Sequence, residues 1–425
     1  MSSISIINGR VIDPANNIDE VIDLHIQNTK ILALGHPPSN FTADEIIDAK
    51  GKHVIPGLID LCARLREPGD EHKATIASES KAAVSAGVTT ICIQPDTDPV
   101  IDTRSVVELI HQKAQLANAA RIVCTGALTA ELNGTHLSEM AELKNAGCVA
   151  VSNANQPINN TQVLRRAMDY ASNQNIPVII KPEDDDLAAS GCAHDGVIAA
   201  RLGLTGIPEA AETAELARCL ELIAQTKTAC HFSCLSCQRS ANMIGRAQHD
   251  GLAVTADVAI HQLFLTEHDL NGFNAQCHVR PPFRTVEDRD GLRQAVLDGK
   301  ISAICSDHQP HDSDAKSAPF PSTEAGISSI ELLLPLLLKL TDELNASLSQ
   351  MLDKVTAAPA KILGLETGTL GIGKPADVCI YDPQKNWTIT AEELKSQGKN
   401  TPFTGWEMNG QVTQTLVNGR LCFQI

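Results

Sequence analysis

Asp307 and the two imidazoles after it, in Ser306-Asp307-His308-Gln309-Pro310-His311, are the residues of this chain best placed for chemistry. They follow Ile301-Ser302-Ala303-Ile304-Cys305, an apolar run that reads as a short buried strand. A carboxylate and imidazoles at the carboxyl end of a parallel strand are where α/β enzymes place metal ligands and general bases. Metal-assisted hydrolysis there needs further donors at the neighbouring strand ends. The other ends carry few of them. Asp307 without a metal keeps the chemistry of a general base.

The elements that must position these residues repeat one unit. Apolar strands end near Cys62, Gln94, Ala127, Asn153, Lys181, Cys234, Asp257 and Asp307, and helical periodicity follows nearly every one. The clearest helices run from Ala74 to Ala86, Ser105 to Ala119, Thr161 to Ala171, Glu209 to Ala224 and Ala241 to His249. Eight such units in roughly 250 residues predict a (β/α)₈ barrel. A doubly wound sheet is the rival, but no Gly-x-Gly-x-x-Gly follows any strand. Two connections are long, Pro182 to Thr226 and Ala259 to Lys300, and such insertions carry either substrate contacts or a partner surface.

Both ends read as β structure, with turn signals at Asn8-Gly9, Asn409-Gly410 and Asn418-Gly419. Residues 1–54 together with 366–425 are expected to form one small β-sandwich, and 55–365 the barrel. The formal net charge of −17 disfavours nucleic acid and anionic membranes as partners. Apolar content of 43% and charged content of 20% are those of a soluble globular chain. The most apolar segment, Ile327 to Leu340, contains Glu331 and Lys339 and reads as a buried helix rather than a membrane span. No signal peptide is expected, and 13 scattered cysteines fit reduced thiols in the cytoplasm.

Several segments together are specific enough to resemble the dihydroorotases of the cyclic amidohydrolase superfamily. They are Pro56-Gly-Leu-Ile-Asp-Leu-Cys-Ala-Arg-Leu-Arg-Glu-Pro-Gly69, Gln94-Pro-Asp-Thr-Asp-Pro-Val-Ile-Asp102, Gly203 to Glu212, Arg280-Pro-Pro-Phe-Arg284, Ser306 to His311 and Asn400 to Trp406. The resemblance implies an amidohydrolase-type (β/α)₈ barrel with a β-sandwich built from both termini. It also implies reversible closure of carbamoyl aspartate to dihydroorotate at one or two zinc ions.

At the positions where that family holds zinc ligands, this chain has Cys62 and Arg64 for a His-x-His, Asn153 for an Asp, and Lys181 and Cys234 for histidines. Only Asp307 is retained. A guanidinium cannot release its proton, so Arg64 cannot ligate zinc. Among substrate-contact positions, Arg66, His308 and His311 are kept, while Asp96 and Arg280 replace asparagines.

The resulting expectation is a dihydroorotase homologue without metal chemistry, with no cofactor. Arg64 or Lys181 would neutralise Asp307. Silent relatives partner aspartate carbamoyltransferase, so a homo- or hetero-oligomer in pyrimidine biosynthesis is implied. The alternatives are a weak dihydroorotase or other cyclic-amide hydrolase with an atypical zinc on Cys62, Cys234 and Asp307, and a small-anion sensor using Arg66, Arg280 and Lys181. Cys230-x₃-Cys234-x₂-Cys237 has the spacing of some iron–sulfur ligands but fits buried thiols better. His231, His261 and His278 read as structural histidines.

Overall fold

The computed structural model describes residues 3–425. Eight parallel strands pair in sequence order: β1 (Leu58–Ala63), β2 (Val88–Ile93), β3 (Arg121–Ala127), β4 (Ala150–Ser152), β5 (Val178–Ile180), β6 (Cys230–Phe232), β7 (Val254–Ala259) and β8 (Ala303–Cys305). The ring closes just past β8. There the His308 amide donates to the Cys62 carbonyl at 3.2 Å, and the Arg64 amide donates to the His308 carbonyl at 2.8 Å. Buried Asp60 on β1 reinforces the seam by accepting from the Ser306 amide at 2.8 Å and from the Ser306 hydroxyl. The fold is a (β/α)₈ barrel.

Small side chains fill the interior, among them Cys92, Ala150, Ala259, Ala303 and Cys305. A larger apolar layer lies between strands and helices. Helix Thr161–Asn173 shows how that layer is built: Leu164, Ala167, Met168 and Ala171 recur at helical spacing and are buried, while Asn160 caps the first turn. Among the described residues, no helix is long and apolar enough to cross a membrane.

Both chain ends form a sandwich. Its four-stranded sheet takes Ser3–Ile7, Leu24–Gln27, Lys30–Leu34 and Glu45–Asp48. Its six-stranded sheet takes Arg10–Asp13, Ile18–Val21, His53–Pro56, Val378–Thr388, Glu407–Val417 and Arg420–Gln424. Ile4, Ile6, Val11, Leu24, Val378 and Leu416 share the core between them. The strand His53–Pro56 carries the sandwich two residues past the boundary expected at residue 54 and leads directly into β1.

Two turn expectations are corrected. Asn8-Gly9 is no hairpin, because Ser3–Ile7 and Arg10–Asp13 lie in different sheets and the dipeptide carries the chain between them. Glycine is required there for room: a Cβ on Gly9 would sit 2.6 Å from Val54 and 2.9 Å from Ala49. Asn409-Gly410 lies inside Glu407–Val417, opposite a pairing irregularity, with Gly410 at φ 83°. Asn418-Gly419, with φ values of 49° and 70°, is a true hairpin turn.

The long connections carry short helices and a two-stranded sheet (Ala193–His194, Gly206–Ile207). In the second, buried His278 bonds Thr323 Oγ1 at 2.8 Å and faces Phe320. Burial, aided by Lys316, lowers its pKa to about 4.

Arg121 on β3 joins barrel to sandwich through Asp377 at 2.7 Å and Asn418 at 2.8 Å. Asp377→Ala strands that guanidinium and removes an acceptor of the Asn418 amide. It is expected to lower stability by ~2–4 kcal/mol, read from urea midpoints. The unfolded chain protonates His278 near pH 6.5 and the folded chain only near pH 4, so this stability is whole above pH 6.5 and is lost as pH falls toward 4. Thermal melts across that window should show His278→Gln less acid-sensitive than the parent by up to ~3 kcal/mol. Asp60, raised to about 6 by burial, acts in the opposite sense in both proteins and leaves their difference unchanged.

Candidate functional site

At the carboxyl end of the barrel, the ends of β1, β2, β6 and β8 bring Cys62, Arg64, Asp96, Cys234 and Asp307 together. Cys234 and Asp307 both sit in the left-handed backbone region, with φ 56° and 46°. Such backbone costs of order 1–3 kcal/mol per residue and persists only where its surroundings fix it. The Cys234 amide is fixed by donating to buried Asp257 Oδ1 at 2.6 Å. Asp307 is followed by His308, whose backbone closes the barrel.

Arg64 dominates the electrostatics. Its Nε donates to Asp96 Oδ2 at 2.8 Å, and its Nη1 stands 3.5 Å from Asp307 Oδ1. Burial opposes its charge, but Asp96, the Cys62 sulfur and Asp307 outweigh burial and raise its pKa. Gln309 Nε2 and the Cys62 thiol add to Asp307 Oδ1 at 3.0 and 3.6 Å. The hydrogen bond with Cys234, then burial, drives the Cys62 pKa well up, so this thiol is held protonated.

The other expected positions are engaged elsewhere. Asn153 Oδ1 accepts from the Thr129 amide and hydroxyl, and its Nδ2 donates to the Leu132 and Gln156 carbonyls. Lys181 donates to the Arg280 carbonyl, so the structure does not make it a partner of Asp307. Arg280 pairs with Glu183 at 2.5 Å. Arg66 donates to the Pro310 carbonyl and to His311 Nε2, both at 3.0 Å. Each of the three cations invoked for an anion sensor therefore has a protein partner.

His308 turns away from the mouth. Its Nδ1 accepts from the Ser329 amide at 3.0 Å, which leaves Nε2 to donate to Glu79 at 2.8 Å. Neither residue is exposed, and this imidazole is a structural brace. Cys230 lies within β6 and Cys237 caps the following helix, so the 230–234–237 spacing does not assemble a cluster. His231 is held by Thr255 and Asp257, both at 2.8 Å.

Sequence reasoning missed Gln309, which secures Asp307, and the pairing of Asp96 with Arg64. It also missed the buried carboxylates Asp60 and Asp257. Their positions on β1 and β7, two residues or a strand-neighbour away from site positions, were the available signal.

The cavity at the mouth is small, about 140 Å³, and is lined by Arg64, Arg66, Gln94 and Asp96. Ligand pockets usually reach ~300 Å³ or more. A larger cleft, about 920 Å³, lies between helix Arg104–Ala117 and the sandwich, with none of these residues on its walls.

The two-zinc arrangement implied by the resemblance does not fit. Arg64 takes the place of one donor and brings a fixed positive charge, while Asn153 is bonded to the Thr129 amide and hydroxyl and to backbone carbonyls, and Lys181 to the Arg280 carbonyl. With one zinc partner replaced by a cation, no bound water can be brought to neutral pKa by a metal pair.

The chain matches the dihydro-orotase-like family over residues 51–240 and the amidohydrolase family over residues 339–423. A dihydroorotase-like protein of Pseudomonas putida is 46% identical over 420 residues, covering 99% of each chain. The counterpart in Pseudomonas aeruginosa is 45% identical over 419 residues, again with 99% of each covered. The dihydroorotase of Geobacter metallireducens is 39% identical over 416 residues, with 98% of each covered. In fold, the chain is similar to the L-hydantoinase (dihydropyrimidinase) of Arthrobacter aurescens, with a TM-score of 0.89 at 22% identity, covering 100% of this chain and 96% of that one. With relatives this similar over almost their whole length, and a barrel and sandwich of the same build, the chain belongs to the dihydroorotase-like family of the amidohydrolases.

Proposed function

We propose that this chain is a dihydroorotase-like protein that has lost dihydroorotase chemistry and serves pyrimidine biosynthesis in the cytoplasm as a structural partner of aspartate carbamoyltransferase. The observation that carries the reading is Arg64, buried and bridging Asp96 at 2.8 Å and Asp307 at 3.5 Å. Closing or opening a cyclic amide requires an activated oxygen nucleophile and a polarised carbonyl. Arg64 can orient a carboxylate but cannot generate hydroxide. Asp307, the one retained donor, already takes hydrogen bonds from Gln309 and Cys62 on Oδ1. The partner is inferred from silent members of the family, whose selective value lies in their surface.

Co-expression with an aspartate carbamoyltransferase catalytic chain, followed by size-exclusion chromatography at micromolar concentration, is expected to give one co-eluting complex. Two separate peaks would sink the partnership. Dihydroorotate ring opening should stay at the background rate, and turnover would favour the hydrolase alternative instead. Arg64→Met leaves Asp307 and Asp96 without their cation and should destabilise the chain by ~3 kcal/mol in urea titration, because breaking a buried pair leaves an uncompensated charge. A change under ~1 kcal/mol would mean that Arg64 does not neutralise the mouth.

A further inference from the structure

The opposite end of the barrel, where the strands begin, carries a cavity of about 620 Å³. It opens where the starts of β6 and β7 and the segment before β8 meet the helix Ala357–Leu363. That helix plugs the base: Leu363, with Ile362 and Leu365 beside it, packs on the interior layer that includes Ala150 and Ala303. The cavity falls within the ~300–1,000 Å³ usual for small-molecule sites, whereas the mouth does not. Much of its wall is apolar, from Pro177, Leu252, Val254, Ala357 and Ile362.

Set into that wall is a cation without a partner. Lys354 is only 8% exposed. Its backbone is anchored, with its carbonyl accepting from the Ile304 amide on β8 at 3.0 Å. Its ammonium takes no hydrogen bond and no ion pair among the described residues. Burial lowers its pKa, and only the charge of nearby Asp353 works against that. A buried lysine is ordinarily paired, because an ammonium taken out of water without compensation is strongly disfavoured. Exposed Lys361 adds a second positive charge on the same wall, where Asp353 is the one carboxylate. Both lysines act on Asp353, lowering its pKa against the larger raising effect of burial. Two ammoniums against one carboxylate leave one positive charge in excess, in a chain whose formal net charge is −17.

The other polar groups here can hold a ligand but offer no catalysis. His231 has both ring nitrogens engaged, by Thr255 Oγ1 and Asp257 Oδ2, each at 2.8 Å. Burial pushes the Cys230 thiol well up, so it stays protonated. The Ser302 hydroxyl stands on the same wall and can donate. We propose that this basal cavity binds a small organic anion of the carboxylate class, its single negative charge between Lys354 and Lys361 and its apolar body along Pro177, Leu252 and Ile362. One such charge cancels the excess, whereas a phosphate dianion overshoots it and faces Asp353. An ammonium acts as a compact point charge, so a lone carboxylate needs no forked partner here. Binding at this face is independent of whether the mouth turns over dihydroorotate.

The test follows thermal unfolding of the full-length protein in sodium benzoate, with sodium phosphate and sodium chloride compared at matched ionic strength. Benzoate should raise Tm along a saturating curve, as a ligand of the native state does, and calorimetry should count one site per chain. Lys354→Met should weaken benzoate binding at least ~10-fold, the loss of a charge-assisted contact. Lys361→Met, at an exposed position, should weaken it by about 2- to 5-fold and serves as a second, independent probe. Without benzoate, Lys354→Met should melt no lower than the parent, because it replaces an uncompensated buried charge with an apolar chain of similar length. A fall of more than a few degrees would show that the fold already compensates Lys354, and would overturn the site. No saturable effect at millimolar benzoate, an effect that both variants leave unchanged, or the same effect from chloride overturns it as well. Tighter binding of phosphate than of benzoate overturns the carboxylate assignment.

Discussion

The guanidinium of Arg64, buried between the carboxylates of Asp96 and Asp307, sets what the mouth of this barrel can hold. Asp307 is 1% exposed, and an isolated carboxylate at that depth is strongly disfavoured unless something neutralises it. A metal can do so, and so can a fixed cation. The cation differs in one respect that decides function: it supplies charge and hydrogen bonds but no vacant coordination place. A guanidinium provides electrostatic compensation but no Lewis acidity.

The barrel itself barely registers that exchange. Its closure rests on backbone hydrogen bonds from His308 to the end of β1 and on Asp60 gripping Ser306, none of which involves a metal. His308 is braced by Glu79, and Glu79 in turn holds the Ser396 hydroxyl and the Gln397 amide, tying the segment before the last sandwich strands to the barrel. His308 thus has a structural role that needs no catalysis to explain it. The apolar layer that stabilises the fold lies outside the strands, away from the substituted positions. Site chemistry and fold stability are separable here, as they are across this architecture.

The strands were legible because each is a short apolar run followed by a helical period, and the ends read from sequence fall within about two residues of those observed, the usual uncertainty of element boundaries. The loss of Arg64 as a donor was legible too, since no environment makes a guanidinium a zinc ligand. What could not be read was partnership. Lys181 and Arg64 are both cations at strand ends, and only the fold shows that one reaches Asp307 while the other bonds the Arg280 carbonyl. Asp96 was read only as a substrate-contact position, whereas its neighbour is Arg64. The turn errors have a similar origin. Asn8-Gly9 and Asn418-Gly419 are the same dipeptide, yet one passes between sheets and the other turns within one, because tertiary crowding by Val54 and Ala49 fixes the first.

These dependencies bear on what building the family's ligand set into this barrel would require. Returning histidine to position 64 would remove the partner of Asp96 and of Asp307 together, leaving two carboxylates facing each other across the mouth until a metal arrived. Restoring an aspartate at position 153 would end the two Nδ2 donations, one to the Leu132 carbonyl beyond β3 and one to the nearby Gln156 carbonyl. Freeing Lys181 would leave the Arg280 carbonyl to find another donor. Changes within one polar network do not add independently, so each single reversal meets the others as a penalty.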